Sequence, residues 1–224
     1  MEIRCSAFLL LLFGFLTACT NSSDMGKGEI EMFSVLREAY EDRKKPKTFV
    51  DARTLVTREK VDASGLAVLL IELETGQSGT SVLYPGNNTG EVWLGVDGAT
   101  VTFDKGFLIG TRGMQDDLIT TIADFPNLST VKDIQSYEKH QTWLTGDNQR
   151  KHLSFKCTLS VKSGAQRISL LNKSFAVKQA TEICNSTELK ITNEYFFENS
   201  GKMRQSKQYH SETLGYIRFE RLDG

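Results

Sequence analysis

Through most of the chain beyond Leu66, apolar residues recur at every second position in short runs that turn residues interrupt. In the run 153–161 the apolar set is Leu153, Phe155, Cys157, Leu159 and Val161, with polar residues between them. Successive strand side chains point to opposite faces, so this period builds half-buried strands and excludes a helical bundle. Residues 66–73 form a nearly continuous apolar run, which predicts a central strand covered on both faces. Val92, Leu94 and Val96 alternate up to Asp97-Gly98, and Val101 and Phe103 alternate up to Lys105-Gly106, two hairpin signals. The second half predicts strands at 153–161, 167–171, 175–183, 190–198, 203–210 and 214–222. Turns fall at Ser163-Gly164, Asn172-Lys173, Asn199-Ser200-Gly201 and around Glu212. Short strands at such spacing predict a mainly β fold, an antiparallel sheet that curls or closes into a barrel. A short additional helix is expected at 116–123, capped by Asp116.

The first residues follow a different rule. An apolar run of roughly ten residues spans only about 15 Å as a helix, too little to cross a bilayer, and reads as the core of a secretory signal. It ends in Leu16-Thr17-Ala18-Cys19, similar to a bacterial lipobox, followed by the polar Thr20-Asn21-Ser22-Ser23. On this reading residues 1–18 are removed, Cys19 is lipidated, residues 19–28 form a tether and 29–224 form one domain. Two or more acyl chains anchor stably, which holds the chain at a membrane surface. Thr20 is not the aspartate that resembles an inner-membrane retention signal, so the expected location is the periplasmic face of the outer membrane. Beyond the tether, Ile30, Phe33, Leu36 and Tyr40 recur at helical spacing, and Lys44-Lys45 precede Pro46. They predict an N-terminal amphipathic helix. Its polar face mixes Glu31, Arg37, Glu38, Glu41 and Asp42, which favours packing on a sheet over lying on an anionic bilayer.

A formal charge of −1 leaves no electrostatic footprint for nucleic acid. Once Cys5 and Cys19 are set aside, Cys157 and Cys184 remain. In an oxidising compartment such a pair is more often a disulfide than a metal or redox site. The pattern resists this at one point. If Phe175, Val177 and Ile183 face inward, Cys184 faces outward with Lys178 and Glu182, unless a bulge shifts the register.

Three stretches together resemble a known family: "GFLIGTRGMQDDL" at 106–118, "TNEYFFENSGKMRQSKQY" at 192–209 and the terminal "LGYIRFERL". They are similar to the YjbF/GfcB lipoproteins, encoded with exopolysaccharide and group 4 capsule genes. The family's aromatic strand commonly reads tyrosine-tryptophan where this chain has Tyr195-Phe196-Phe197. The resemblance implies a barrel-like periplasmic domain that acts with an operon-encoded outer-membrane β-barrel in polysaccharide export.

Nothing in the pattern resembles a catalyst. His140, His152 and His210 lack metal-type spacing, and His152 and His210 fall on polar strand faces; no metal or other cofactor is implied. Asp116 and Asp117 are adjacent and diverge, which suits no shared acid–base task. There is no nucleophile elbow, P-loop or dinucleotide fingerprint. Arg112, between Gly110 and Gly113, reads either as a partner contact or as a donor to a turn carbonyl. Trp93 and Trp143 read as core residues, with sugar stacking as the alternative. In the hairpin 190–210, Ile191, Tyr195 and Phe197 face the core. Arg204, Ser206, Gln208 and His210 form a polar stripe, from which Arg204 and Gln208 are expected to reach a glycan or a barrel partner, or simply solvent. A non-enzymatic accessory lipoprotein is the leading function; a polysaccharide-modifying enzyme or a sugar-binding module is the alternative.

Overall fold

The computed structural model describes residues 51–85, 90–131 and 134–224. The anchor expected at Cys19, the expected tether and the expected amphipathic helix fall outside the described residues.

Among the described residues two short helices come first. Asp51 caps α1 (Ala52–Leu55) by accepting from the Arg53 amide at 3.0 Å. Thr57 caps α2 (Arg58–Ser64), which stops at Gly65 with φ of +64°. A threonine cap, Glu59 in the first turn and a terminal glycine make α2 legible in sequence, although alternation elsewhere draws attention away from it.

Thirteen strands follow: β1 (Val68–Leu73), β2 (Ser78–Tyr84), β3 (Glu91–Gly95), β4 (Thr100–Asp104), β5 (Phe107–Arg112), β6 (Asp117–Ala123) and β7 (Gln135–Leu144). The rest are β8 (Arg150–Val161), β9 (Gln166–Leu170), β10 (Lys173–Asn185), β11 (Lys190–Phe197), β12 (Met203–Ser211) and β13 (Gly215–Arg221). Twelve of them run in the order β5-β4-β3-β2-β1-β13-β12-β11-β10-β8-β7-β6, and β9 pairs with β10. Pairing of β1 with β13 joins the two halves. Because β5 and β6 are consecutive in the chain, the two ends of this order meet, and the sheet is a nearly closed antiparallel barrel.

The expected helix at 116–123 is the strand β6. Its pairing with β7 shifts between Leu118 and Thr120, so Leu118 and Thr121, three residues apart, are both buried. A bulge thus imitates helical spacing. Asp116 accordingly caps no helix.

Burial on two faces explains the Cys184 register. One set of apolar residues fills the barrel, among them Leu69, Ile71, Trp93, Phe103, Phe155 and Phe219. Another lies under α2, where Val61 meets Val68, Leu70, Phe175, Val177 and Leu222. Phe175 and Val177 therefore face the outer layer, Ile183 on the same face is exposed, and Ala180, Glu182 and Cys184 point inward. No bulge is needed. The Cα atoms of Cys157 and Cys184 are 4.0 Å apart, directly opposite on β8 and β10, and the two sulfurs are joined as a disulfide. That is well within the roughly 7 Å that a bridge tolerates.

Candidate functional site

A barrel this wide encloses polar side chains as well as apolar ones. Glu182 is fully buried, and its two carboxylate oxygens take four donors. Lys139 Nζ at 3.0 Å and the Tyr137 hydroxyl reach Oε1; the Tyr195 hydroxyl at 2.9 Å and the Asn193 amide reach Oε2. Burial pushes the Glu182 pKa up, but Lys139 and the donated hydrogen bonds outweigh it and hold the carboxyl below its ordinary value. Burial, and then the charge of Glu182, push the Tyr137 and Tyr195 phenols well above theirs, so both stay protonated donors. The Glu182 carboxylate also lies close to Cys157 and Cys184. Those sulfurs are bonded to each other and offer no thiolate to a metal.

Gln208 belongs to this interior. Only 2% exposed, it accepts from the Leu108 amide at 2.8 Å and donates to the Gly106 carbonyl at 3.0 Å, tying β12 to the β4–β5 hairpin. His210 is buried beside it, with Nε2 3.0 Å from Thr111 Oγ1. The stripe expected to face a partner is therefore turned inward at Ser206, Gln208 and His210, which corrects the contact role foreseen for Gln208. Pairing of β11 with β12 shifts between Phe196 and Phe197, and Arg204 leaves the stripe there. Its guanidinium lies 4.3 Å over the Phe175 ring and donates to Glu198 at 2.9 Å and to the Asp223 carbonyl. Being 5% exposed, Arg204 presents no free surface, and its contact role is corrected too.

Arg112 is exposed at the end of β5 and donates across to β6. Nη1 donates to the Leu118 carbonyl at 3.1 Å and Nη2 to that of Ile119 at 2.9 Å. From the same strand, Thr111 Oγ1 accepts from the Leu118 amide at 2.9 Å. Side chains thus stitch the β5–β6 seam. Trp93 is core, with Arg221 5.0 Å over its ring. His140 and His152 are surface residues whose Nδ1 atoms meet Ser154 and Thr142, each at 2.9 Å.

A cleft of about 290 Å³ opens at one end of the barrel, where the turns after β5, β7, β10 and β12 converge. Trp143, Leu153, Leu189 and Tyr209 supply its apolar wall, and Asp116, Asp147, Glu212 and Lys151 its charges. Asp116, at φ of +54°, is the clamp of the rim. It accepts from the Gly146 amide at 2.7 Å and from the Thr213 hydroxyl, joining the turns after β5, β7 and β12. Lys151 is paired with Glu212 at 2.6 Å and with Glu188 at 3.5 Å. The Thr145 hydroxyl holds the Asp147 carboxyl below its ordinary value, so it is ionised at neutral pH. Tyr209 is pushed up to about 12 by burial and then by Glu212, Tyr216 and Asp116, and it remains a donor. The Trp143 indole donates to the His210 carbonyl, which fixes the ring against the cleft.

Sequence reasoning passed over this cleft. Its one usable signal was an acidic residue at the tip of each of three turns, Asp116, Asp147 and Glu212, and closure of the barrel alone brings them together.

Residues 34–222 match the family described as group 4 capsule polysaccharide lipoprotein GfcB, YjbF. The chain belongs to this family. It is thus a capsule-related lipoprotein of a membrane-anchored class. No curated protein matches the sequence. Among solved structures, the fold is similar to the crystal structure of the hypothetical lipoprotein YmcC from Escherichia coli (K12). The TM-score is 0.72 and the identity 18%, over 90% of this chain and 98% of that one. Among the described residues no helix is long and apolar enough to cross a membrane.

Proposed function

We propose that this protein is an outer-membrane-anchored accessory lipoprotein of capsule or exopolysaccharide export, non-catalytic and acting beside an outer-membrane β-barrel. The family match over 34–222 carries the reading. The lipobox ending at Cys19 supports the anchor. The cleft supports a binding task over a catalytic one, because Asp116 is committed to two turns and Glu212 to Lys151.

A deletion strain complemented with wild type or Cys19→Ser tests it. Serine offers no thiolate for lipid transfer, so the variant takes up no tagged fatty acid and fails to restore surface polysaccharide at normal protein level. Full restoration by an unlipidated Cys19→Ser protein overturns the anchored role. Crosslinking of the lipidated protein in cells is expected to yield an outer-membrane β-barrel.

A further inference from the structure

We infer that the end cleft is a saccharide-binding site that takes sugars without acid groups and holds an amine-bearing sugar most tightly. The inference rests on the polysaccharide reading above and names what the site recognises.

Shape and wall chemistry come first. A cleft of about 290 Å³ has the capacity of one or two sugar rings, not of a folded partner. Trp143, Leu153 and Tyr209 form its apolar floor, each at most 8% exposed, so a pyranose meets their edges through its C–H groups, and the Tyr209 hydroxyl, held protonated, is a donor. Around that floor stand acceptors: the Asp147 and Glu212 carboxylates and the Thr145 and Thr213 hydroxyls. Sugar hydroxyls are donors as well as acceptors, and such a rim satisfies them.

Charge then narrows the class. The lining carries three carboxylates and one ammonium, and that ammonium, Lys151, is already bound by Glu212 and Glu188. A uronate or phosphate entering the cleft meets uncompensated negative charge. A protonated amine meets Asp147, whose only described partners are the Thr145 hydroxyl and the Gln149 amide.

The frame is fixed. Because Asp116 spans the turns after β5, β7 and β12, the rim is set before any ligand arrives, which lowers the ordering cost of binding. Both tryptophans are buried, but Trp143 lines the floor of the cleft and Trp93 does not, so the Trp143 indole fluorescence reports occupancy.

The test uses the mature lipoprotein in a detergent that contains no sugar. It is titrated with a glucosamine tetramer, the N-acetylglucosamine tetramer, a galacturonic acid tetramer and spermine, following Trp143 fluorescence with Trp143→Phe as the silent control. The expected order of affinity is glucosamine, then N-acetylglucosamine, then galacturonate, with about tenfold or more between the first and the last. Asp147→Asn is expected to narrow that gap while leaving the melting temperature unchanged. Galacturonate binding as tightly as glucosamine, or no binding of any tetramer at millimolar concentration, overturns the site. Spermine matching the glucosamine tetramer also overturns it, because the cleft then recognises charge alone. The two readings fail separately. A deletion strain that loses surface polysaccharide, with a protein that binds no tetramer, keeps the export reading and removes the cleft. Tetramer binding with surface polysaccharide intact in the deletion strain does the reverse.

Discussion

Arg112 donates from β5 to the carbonyl of Leu118 on β6, 3.1 Å away, across the junction where the strand order begins and ends. Backbone pairing carries the sheet from β5 the long way round to β6. At the junction itself the guanidinium and Thr111 supply the donor and acceptor that a ladder would supply elsewhere.

Arg112→Ala therefore opens the barrel at one place. Two charge-assisted bonds across the seam are lost, one part-buried and one exposed, and the expected cost is about 1–2 kcal/mol. Urea unfolding measures the loss, and hydrogen exchange localises it to β6 amides. A partner-contact role predicts no change in either.

Glu182→Gln tests the buried network. Lys139, 3.0 Å from Glu182 inside the barrel, is left as an unpaired charge, and the expected destabilisation is about 3–5 kcal/mol. Adding Lys139→Met is expected to recover much of it, since removing both charges costs less than removing one. The pH sign follows from the depressed folded-state pKa of Glu182. Its contribution is complete above the ordinary carboxylate pKa and is lost as the pH falls below that value, because the unfolded chain takes up the proton first. The double variant lacks this acid-range loss.

His210 acts in a higher window. Burial, partly offset by Asp117 and Asp116, lowers its pKa from 6.5 to about 4. Between those values the unfolded chain binds a proton that the folded chain refuses, so stability is full above about pH 6.5 and declines toward pH 4. A shift of that size corresponds to about 3 kcal/mol. Unfolding curves across this range should steepen the decline in the native protein and show it flattened in His210→Asn, whatever the absolute stability of the variant.

How much of this was legible depended on what each residue faces. The period of two located β8 and the hairpins because their neighbours on one face are apolar, a continuous apolar run located β1, and the glycine of Asn199-Ser200-Gly201 marked its turn, with φ of +87° at Gly201. The pattern misled where a face is buried among polar groups. Ser206, Gln208 and His210 read as a solvated stripe, yet each is buried, because the barrel encloses them beside partners such as the Gly106 carbonyl for Gln208 and the Thr111 hydroxyl for His210 Nε2. It misled again where both faces of one strand are covered in different places, as for Phe175 and Cys184 on β10. The cleft was beyond reach for a third reason. Asp116 and Thr213 are 97 residues apart, and only the barrel's closure makes them neighbours.

The Cys157–Cys184 pair gives the last prediction. The two residues are 27 apart in sequence and both sulfurs lie inside the barrel, where Cys157 and Cys184 are buried. A cross-link over that length restricts the unfolded chain by about 3–4 kcal/mol, so Cys157→Ala with Cys184→Ala should lower the urea midpoint accordingly. Burial adds a kinetic signature. A thiolate reductant reaches the bond only when β8 and β10 separate, so native protein should resist dithiothreitol and become reducible as urea approaches the midpoint. Mass spectrometry of protein isolated from the periplasm, alkylated before and after reduction, reads both results. Two free thiols in the oxidised, folded protein would show that the facing cysteines pack without a bond, and the double alanine variant would then lose only what a small cavity costs.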